Sequence, residues 1–271
     1  MNLLDQDFQE KKDKKSNKTI LKVVLVILVF IIITLPLFFV IRFNLNKNIT
    51  SKAINNVNEY KNVTNYLLQI TEHNIDFERN TESFHNSKYF YKDNQYKKEM
   101  HSETPGVNIQ TADSFEYGNI NSKEKVKIIE TQKVCYNVKA NYILQKKDGF
   151  LDFMMIALQP FSEDYGTLPN IWVQAGYNLR TDKYNGRKCY VLRLGDESSY
   201  REIWIDKEQN TLVRTVDEIY NRSYNEKVYS IKSDVVTNED VTLPNLTGYT
   251  IKDSEDNVPS EYIGIYEKLG I

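Results

Sequence analysis

Three histidines are the residues of this chain best suited to bind a metal ion. His73, His85 and His101 fall on three successive predicted strands. Neighbouring antiparallel strands can bring such side chains together, and imidazole nitrogen is a common zinc ligand. Nothing in the spacing forces the three to converge, and each histidine is flanked by polar strand residues. We therefore expect exposed histidines and no metal site.

Motifs of the common enzyme classes are missing from the sequence. It contains no G-x-S-x-G, no H-E-x-x-H, no P-loop and no dinucleotide-binding fingerprint. A glycosidase needs two carboxylates that flank a substrate cleft, and no stretch identifies such a cleft. The acidic residues late in the chain alternate with apolar ones, as solvent-facing strand residues do: Glu202, Asp206, Glu208, Asp217 and Glu218. We expect no catalytic residues, no cofactor and no enzymatic activity.

Two cysteines, Cys135 and Cys189, leave two interpretations open. A disulfide between them suits a domain outside the cytoplasm and would stabilise the fold by about 4 kcal/mol in the chain-entropy model. Two unpaired thiols are the alternative. Neither cysteine has a neighbouring histidine or C-x-x-C spacing, so neither is expected to be catalytic.

Apolar chemistry is more prominent than polar chemistry. Residues 148–158 read DGFLDFMMIAL, which predicts a helix capped by Asp148, stopped at Pro160 and apolar nearly all round. Such a helix is either plain core or the roof of a cavity. Strand parity and this helix give the candidate ligand-binding residues, which are Tyr66, Leu68, Ile70, Phe153, Met154, Tyr190, Leu192 and Leu194.

The elements that must position these residues are clearest at residues 185–217. Asn185-Gly186 supports a type I′ hairpin turn, and Asn210 suits a left-handed turn position. Between and after these turns lie three predicted antiparallel strands, in the last of which Leu212, Arg214 and Val216 share a face.

The segments NGRKCYVLRL, WIDKEQNTLVR and LPNLTGY (243–249) resemble the LolA-like family of lipoprotein-carrier and lipoprotein-sorting domains, in its membrane-anchored, Gram-positive form. The resemblance covers roughly residues 50–250, and Asn210 stands where the family turn usually has glycine. It implies a mainly β (α+β) fold in which a strongly curved antiparallel half-barrel wraps a few helices. It also implies an apolar cavity for an acyl chain.

Further elements are predicted from periodicity. Ser51 caps a short helix with an apolar stripe at Ala53, Ile54, Val57 and Tyr60. Strands follow from residue 66, including a hairpin about Asp93-Asn94, and Ile171–Thr181 is predicted as a strand. About ten strands result, and a short helix is expected after Pro259.

Residues 23–41 are uncharged and span roughly 28 Å as a helix, close to the bilayer core thickness. Six lysines precede the span, whereas Arg42, Lys47 and Lys52 follow it. This asymmetry places the N-terminus in the cytoplasm, so we expect a single-pass protein of the cell membrane with its large domain outside. A cleaved signal peptide is the rival interpretation, although its apolar region is usually shorter.

The expected organisation is a cytoplasmic lysine-rich tail (1–22), a transmembrane helix (23–41), a linker (42–49), a LolA-like domain (50–252) and a C-terminal tail (253–271). Residues 1–42 carry seven basic and four acidic side chains, a net charge of +3, so the remainder carries −5 of the total −2. A mildly acidic outer domain should not attract nucleic acid.

Two functions fit this reading. In the first, the tethered domain is a carrier or sensor that binds a lipid or lipoprotein acyl chain. In the second, it is a scaffold that regulates a cell-envelope enzyme, because the resemblance extends to domains that act with a spore-cortex amidase in germination. The expected partners are therefore the membrane, through residues 23–41, and a hydrophobic ligand or an envelope protein.

Overall fold

The computed structural model describes residues 3–105, 112–161 and 168–255. Its helices are α1 (Leu3–Tyr60), α2 (Asp152–Leu158), α3 (Leu168–Gly176) and α4 (Asn238–Val241). Its strands are β1 (Asn65–Asp76), β2 (Thr81–Lys92), β3 (Gln95–Glu103), β4 (Ala112–Asn119), β5 (Glu124–Ile129), β6 (Val134–Lys139), β7 (Asn178–Tyr184), β8 (Arg187–Gly195), β9 (Tyr200–Asp206), β10 (Leu212–Ile219), β11 (Ser223–Ser233) and β12 (Thr250–Glu255). The short helix predicted after Pro259 lies outside the described residues.

All twelve described strands form one curved, unclosed sheet in the order β12-β6-β5-β4-β3-β2-β1-β11-β10-β9-β8-β7. Neighbouring strands are antiparallel except at one edge, where β12 runs parallel to β6. The predicted fold class is therefore confirmed: the protein is mainly β, with helices against a curved sheet.

The tight turns follow from residues that tolerate positive φ. Asp93 and Asn94 have φ of 47° and 71°, and Asn185 and Gly186 have 48° and 79°, as a type I′ hairpin turn requires. Asn210 has φ of 52°, in the left-handed region. Both predicted hairpins and the turn at Asn210 are confirmed.

Helix α1 is longer and less interrupted than expected. It continues through residues 42–49, the predicted linker, and through Ser51, which is therefore not a helix cap. The apolar stripe was correct, because Ala53 and Val57 are fully buried and Ile54 and Tyr60 pack beside them. From residue 21 to 41 the large apolar side chains of the same helix are instead exposed, apart from the half-buried Phe39.

The main core lies between one face of the sheet and the C-terminal part of α1 together with α2. Tyr66, Leu68 and Leu192 are fully buried there, and they contact the core residues Phe150 and Met154 from the α2 region. This face of the sheet is called the concave face below.

Two sequence expectations near α2 were wrong. Residues 147–150 form a 3-10 turn, so α2 begins at Asp152 and Asp148 does not cap it. Residues 168–176 form helix α3 rather than part of a strand, and β7 starts only at Asn178. A short uncharged apolar run suits a buried strand or a packed helix equally, and packing against α1 decides for the helix.

The opposite, convex face carries a second small core that sequence parity missed. Cys189, Val191, Trp204 and Val213 are buried there. Glu202, expected in solvent, is only 5% exposed. Its carboxylate accepts hydrogen bonds from Arg180 Nη1, Arg193 Nη1 and Trp204 Nε1 at 2.9, 3.2 and 2.9 Å. Asp206 is buried too, because it accepts the backbone N–H groups of Glu208 and Gln209.

The packing of Leu68 gives a direct test of the core. Leu68→Ala should lower the free energy of unfolding by about 2–5 kcal/mol, because a fully buried side chain is lost and a cavity remains. Leu243→Ala, at a position 40% exposed, should change it by less than about 0.5 kcal/mol. Urea unfolding followed by near-UV circular dichroism measures both, and equal effects would contradict this core.

Candidate functional site

A cleft of about 400 Å³ lies between α2 and the concave face of the sheet. This volume falls in the range of about 300–1,000 Å³ that small-ligand sites occupy. Its lining comes from α2 and from strands β1, β2, β9, β10 and β11, through Ile70, Glu72, Ser87, Tyr89, Phe153, Ile156, Ala157, Arg201, Thr215, Asp217, Asn225, Lys227 and Tyr229.

One wall of the cleft is apolar. Phe153, Ile156 and Ala157 share a face of α2 because they are three and four residues apart. Ala157 is buried, whereas Phe153 and Ile156 are 43% and 54% exposed. The Phe153 ring lies 5.9 Å from the ring of Tyr89 on β2. Two large apolar side chains therefore remain open to whatever enters the cleft.

The other wall is polar and is built from two ion pairs. Lys227 Nζ lies 3.4 Å from Glu72 Oε2, and Arg201 Nε lies 3.6 Å from Asp217 Oδ1. Asn225 Nδ2 donates to Glu72 Oε1 at 2.8 Å. Strand register produces this cluster, because Glu72 is opposite Lys227 and Asp217 is opposite both Asn225 and Arg201. The formal charge of this polar wall is zero.

Burial sets the protonation of the lining groups. It raises the pKa of Asp217, against the opposing effect of Arg201 and Lys227. It also raises the pKa of Tyr89 and of Tyr229 to about 12, so both phenols stay neutral at physiological pH. Apolar, neutral and internally paired groups together suit binding of an amphiphilic molecule.

The eight predicted ligand residues divide into two sets. Ile70 and Phe153 line the cleft. Tyr66, Leu68, Met154 and Leu192 are fully buried in the main core, and Leu194 packs against it. Tyr190 is half-buried beneath Lys207, whose Nζ lies 4.6 Å from the ring centroid. Side chains therefore fill much of the space that parity assigned to a ligand, and ligand contact by these residues stays a prediction.

Sequence reasoning missed the polar wall. Glu72 continues the parity of Leu68 and Ile70, so its direction could have been inferred. Asp217 could not, because the pairing of β10 with β9 shifts between Leu212 and Arg214. Leu212 is opposite Ile205, whereas Arg214 and Val216 are opposite Trp204 and Glu202 on the convex side. This β-bulge turns Asp217 to the concave face, and no residue in the sequence announces it.

Each histidine has its own partner. His73 Nε2 lies 2.7 Å from Glu82 Oε1, and its ring stacks on Phe84 at 4.4 Å. His85 Nδ1 lies 2.9 Å from Ser102 Oγ, and His101 Nδ1 lies 2.5 Å from Asp113 Oδ1. Within residues 3–105, 112–161 and 168–255, no group of three or more histidine, cysteine or acidic side chains is arranged to hold a metal ion.

Comparison with known proteins gives structural likeness only. No family model and no curated protein matches the chain. Among solved structures, LprF from Mycobacterium bovis aligns over 75% of this chain and 97% of its own, at 11% identity and a TM-score of 0.38. An outer membrane lipoprotein-sorting protein domain from Vibrio parahaemolyticus aligns over 71% and 97%, at 10% identity and a TM-score of 0.28.

MucB in complex with MucA(peri) aligns over 74% of this chain and 62% of the MucB chain, at 10% identity and a TM-score of 0.35. This chain thus matches less than two thirds of MucB. The similar structures include a lipoprotein-sorting domain, as the resemblance of the sequence predicted. Similarity of this degree transfers no function to the chain.

Of the two interpretations of the cysteines, the structure favours unpaired thiols. Cys135 and Cys189 are both buried and free. Cys135 lies on β6 and Cys189 on β8, and eight strands separate the two in the sheet. They also belong to different clusters, so no local movement could join them.

Thiol labelling tests whether Cys135 and Cys189 are unpaired. Burial raises the pKa of both cysteine thiols, which lowers their thiolate fraction. The folded protein should therefore react slowly with a maleimide near neutral pH. In denaturant without a reductant, both thiols should react. If neither reacts until a reductant is added, the two cysteines form a bridge after all.

Proposed function

We propose that this chain is a membrane-anchored protein whose outer domain holds one hydrophobic ligand in the cleft between α2 and the sheet. The observation that carries this proposal is the cleft itself, in which Phe153 and Ile156 stay exposed opposite a polar wall of zero formal charge. Its volume of about 400 Å³ suits a single acyl chain or a small amphiphile rather than a multi-chain lipid. In this role the domain acts as a carrier or a sensor.

The anchor is argued from α1. One described helix is long and apolar enough to cross a membrane, and none of its apolar stretch is buried inside the protein. A helix that is apolar all round requires an apolar environment. The six lysines before it and the smaller basic count after it favour a cytoplasmic N-terminus in the cell membrane. The domain at 50–252 would then lie outside the cytoplasm.

A scaffold that docks a cell-envelope or spore-cortex enzyme is the second candidate. The observation that favours it is the filled core, since Tyr66, Leu68, Met154 and Leu192 leave no space among themselves. The edge strands β7 and β12 would offer backbone groups for strand addition by a partner. The cleft supports ligand binding over the scaffold, because a scaffold has no need of a cleft.

Two isoleucines allow a matched test. Ile156 is 54% exposed and lines the cleft, whereas Ile143 is 47% exposed and does not line it. Ile156→Glu should weaken binding of a dansyl-labelled fatty acid by at least about tenfold, or about 1.4 kcal/mol, because an acyl chain would then contact a charge. Ile143→Glu should leave the affinity unchanged. Fluorescence titration of the full chain in mild detergent measures both.

Two results would contradict ligand binding in the cleft. If the probe does not bind, or if Ile143→Glu weakens it as much as Ile156→Glu, the cleft is not the ligand site. Capture of one envelope protein by both variants alike would then support the scaffold.

A further inference from the structure

Helix α3 presents an unusual apolar surface. Its sequence, LPNIWVQAG, contains no charged residue. Ile171, Trp172 and Val173 are 37%, 61% and 42% exposed, in a helix whose next residues, Gln174 and Ala175, are buried. Three adjacent large apolar side chains open to solvent need a covering partner.

Several contacts fix α3 at the end of the apolar run of α1. The rings of Trp172 and Phe39 meet edge to face at 5.4 Å. Arg42 Nη2 donates to Gly176 O at 3.2 Å and to Asn178 Oδ1 at 2.6 Å. This cation at the C-terminal end of α3 also favours the helix dipole.

Asn46, only 1% exposed, completes the junction. Its Nδ2 donates to Gln174 O at 2.8 Å and to Tyr177 O at 2.9 Å. Because a helix rises about 1.5 Å per residue, Asn46 lies only about 7 Å beyond Ile41, the last apolar residue of the run. Helix α3 is therefore held at the height where a bilayer around α1 would end.

A second apolar group lies at the same end of the domain as α3. Asn56 Nδ2 donates to Gln209 O, so β10 starts beside the C-terminal end of α1, away from the apolar run. At Asp217 it passes near Asn46, because Gly176 packs against Leu194, on β8, and the β8 to β10 register continues through Arg201 to Asp217.

The three residues beyond Asp217 continue in the same direction, past Asn46 towards the apolar run of α1, by at most about 10 Å. They include Ile219 and Tyr220, which are 50% and 67% exposed. Phe77, 48% exposed, lies in the adjoining turn, where its N–H donates to Arg222 O. Two separate elements therefore present apolar side chains at the end of the domain nearest the apolar run of α1.

We propose that α3 and the β10–β11 turn dock the domain on the outer leaflet of the bilayer that α1 spans. Ile171, Trp172 and Val173 insert beside Phe39, while Ile219, Tyr220 and Phe77 provide the second contact. The covering partner is lipid because Trp172 of α3 contacts Phe39 directly, so the exposed apolar surface of α1 continues onto α3. Tryptophan and tyrosine also favour the headgroup level.

Docking has a consequence for the cleft. Arg201 and Asp217, which form part of its polar wall, belong to the same end of the sheet as the two docking elements. The ion-paired wall is thus brought close to the lipid headgroups. This inference rests on the anchoring part of the proposed function and is independent of the ligand.

Bromine quenching of tryptophan fluorescence tests the docking. The full chain is reconstituted in phosphatidylcholine vesicles with bromine either high or low on the acyl chains. The two tryptophans are Trp172 and the buried Trp204. We expect the wild type to be quenched, more by shallow than by deep bromines, since interfacial groups lie about 5–10 Å below the surface. Trp172→Phe should lose the quenching.

Two added reporters in the Trp172→Phe background serve as a matched pair. Tyr220→Trp should restore quenching. Val235→Trp should not, because Val235, although 47% exposed, follows Asp234, whose N–H donates to Asn65 O beyond the far end of α1. Both substitutions are at exposed positions and should leave the fold intact.

Other outcomes would overturn the proposal. Absence of quenching in a chain that floats with the vesicles after alkaline carbonate treatment would refute docking but not anchoring. Quenching that persists in Trp172→Phe would refute insertion of Trp172 into lipid. Protection of Trp172 from aqueous iodide that increases with protein concentration would also refute it, because a second copy of the chain would then cover α3. A chain that fails to float would refute docking and anchor together.

Discussion

Helix α1 combines an exposed apolar stretch with a C-terminal stretch that is buried in the core, and the rest of the fold depends on this combination. Residues 21–41 of α1 expose apolar side chains, whereas Ala53 and Val57 in its last turns are fully buried against the sheet. No break separates the two parts. Asn46 lies between them and uses its buried amide to hold α3. A change in the tilt of residues 21–41 would therefore reach the domain core, because the helix continues without a break through residues 42–49.

The same helix explains why the cleft is small. The last turns of α1 and helix α2 fill most of the concave face, and the buried Tyr66, Leu68 and Met154 close the space between them. Space remains at the side of α2 that carries Phe153 and Ile156, next to the polar wall. Because its apolar lining is confined to one side, the cleft suits a single acyl chain, as does the apolar cavity that the family resemblance implies.

The sequence predicted those parts of the structure that depend only on residues close together in the chain. The Asn-Gly and Asp-Asn turns demand positive φ, and the alternation at Tyr66, Leu68 and Ile70 reflects one buried sheet face, so both were predictable. The β-bulge at Leu212 to Arg214 was not, because it depends on pairing with β9. The helical structure of α3 was not predictable either, since only its contact with α1 distinguishes this segment from a strand. The polar wall combines residues from four strands and becomes visible only in the register.

Photo-crosslinking tests the central claim most directly, since it shows where an acyl chain lies in the intact protein. The full chain in native membranes is loaded with a diazirine-bearing palmitic acid, irradiated and digested, and labelled peptides are sequenced by mass spectrometry. We expect label on α2 at Phe153 or Ile156 and on β11 near Tyr229, in addition to any label that bulk lipid leaves on residues 21–41. Label confined to residues 21–41 and the docking residues would show that the cleft holds no acyl chain, and ligand binding in the cleft would be wrong.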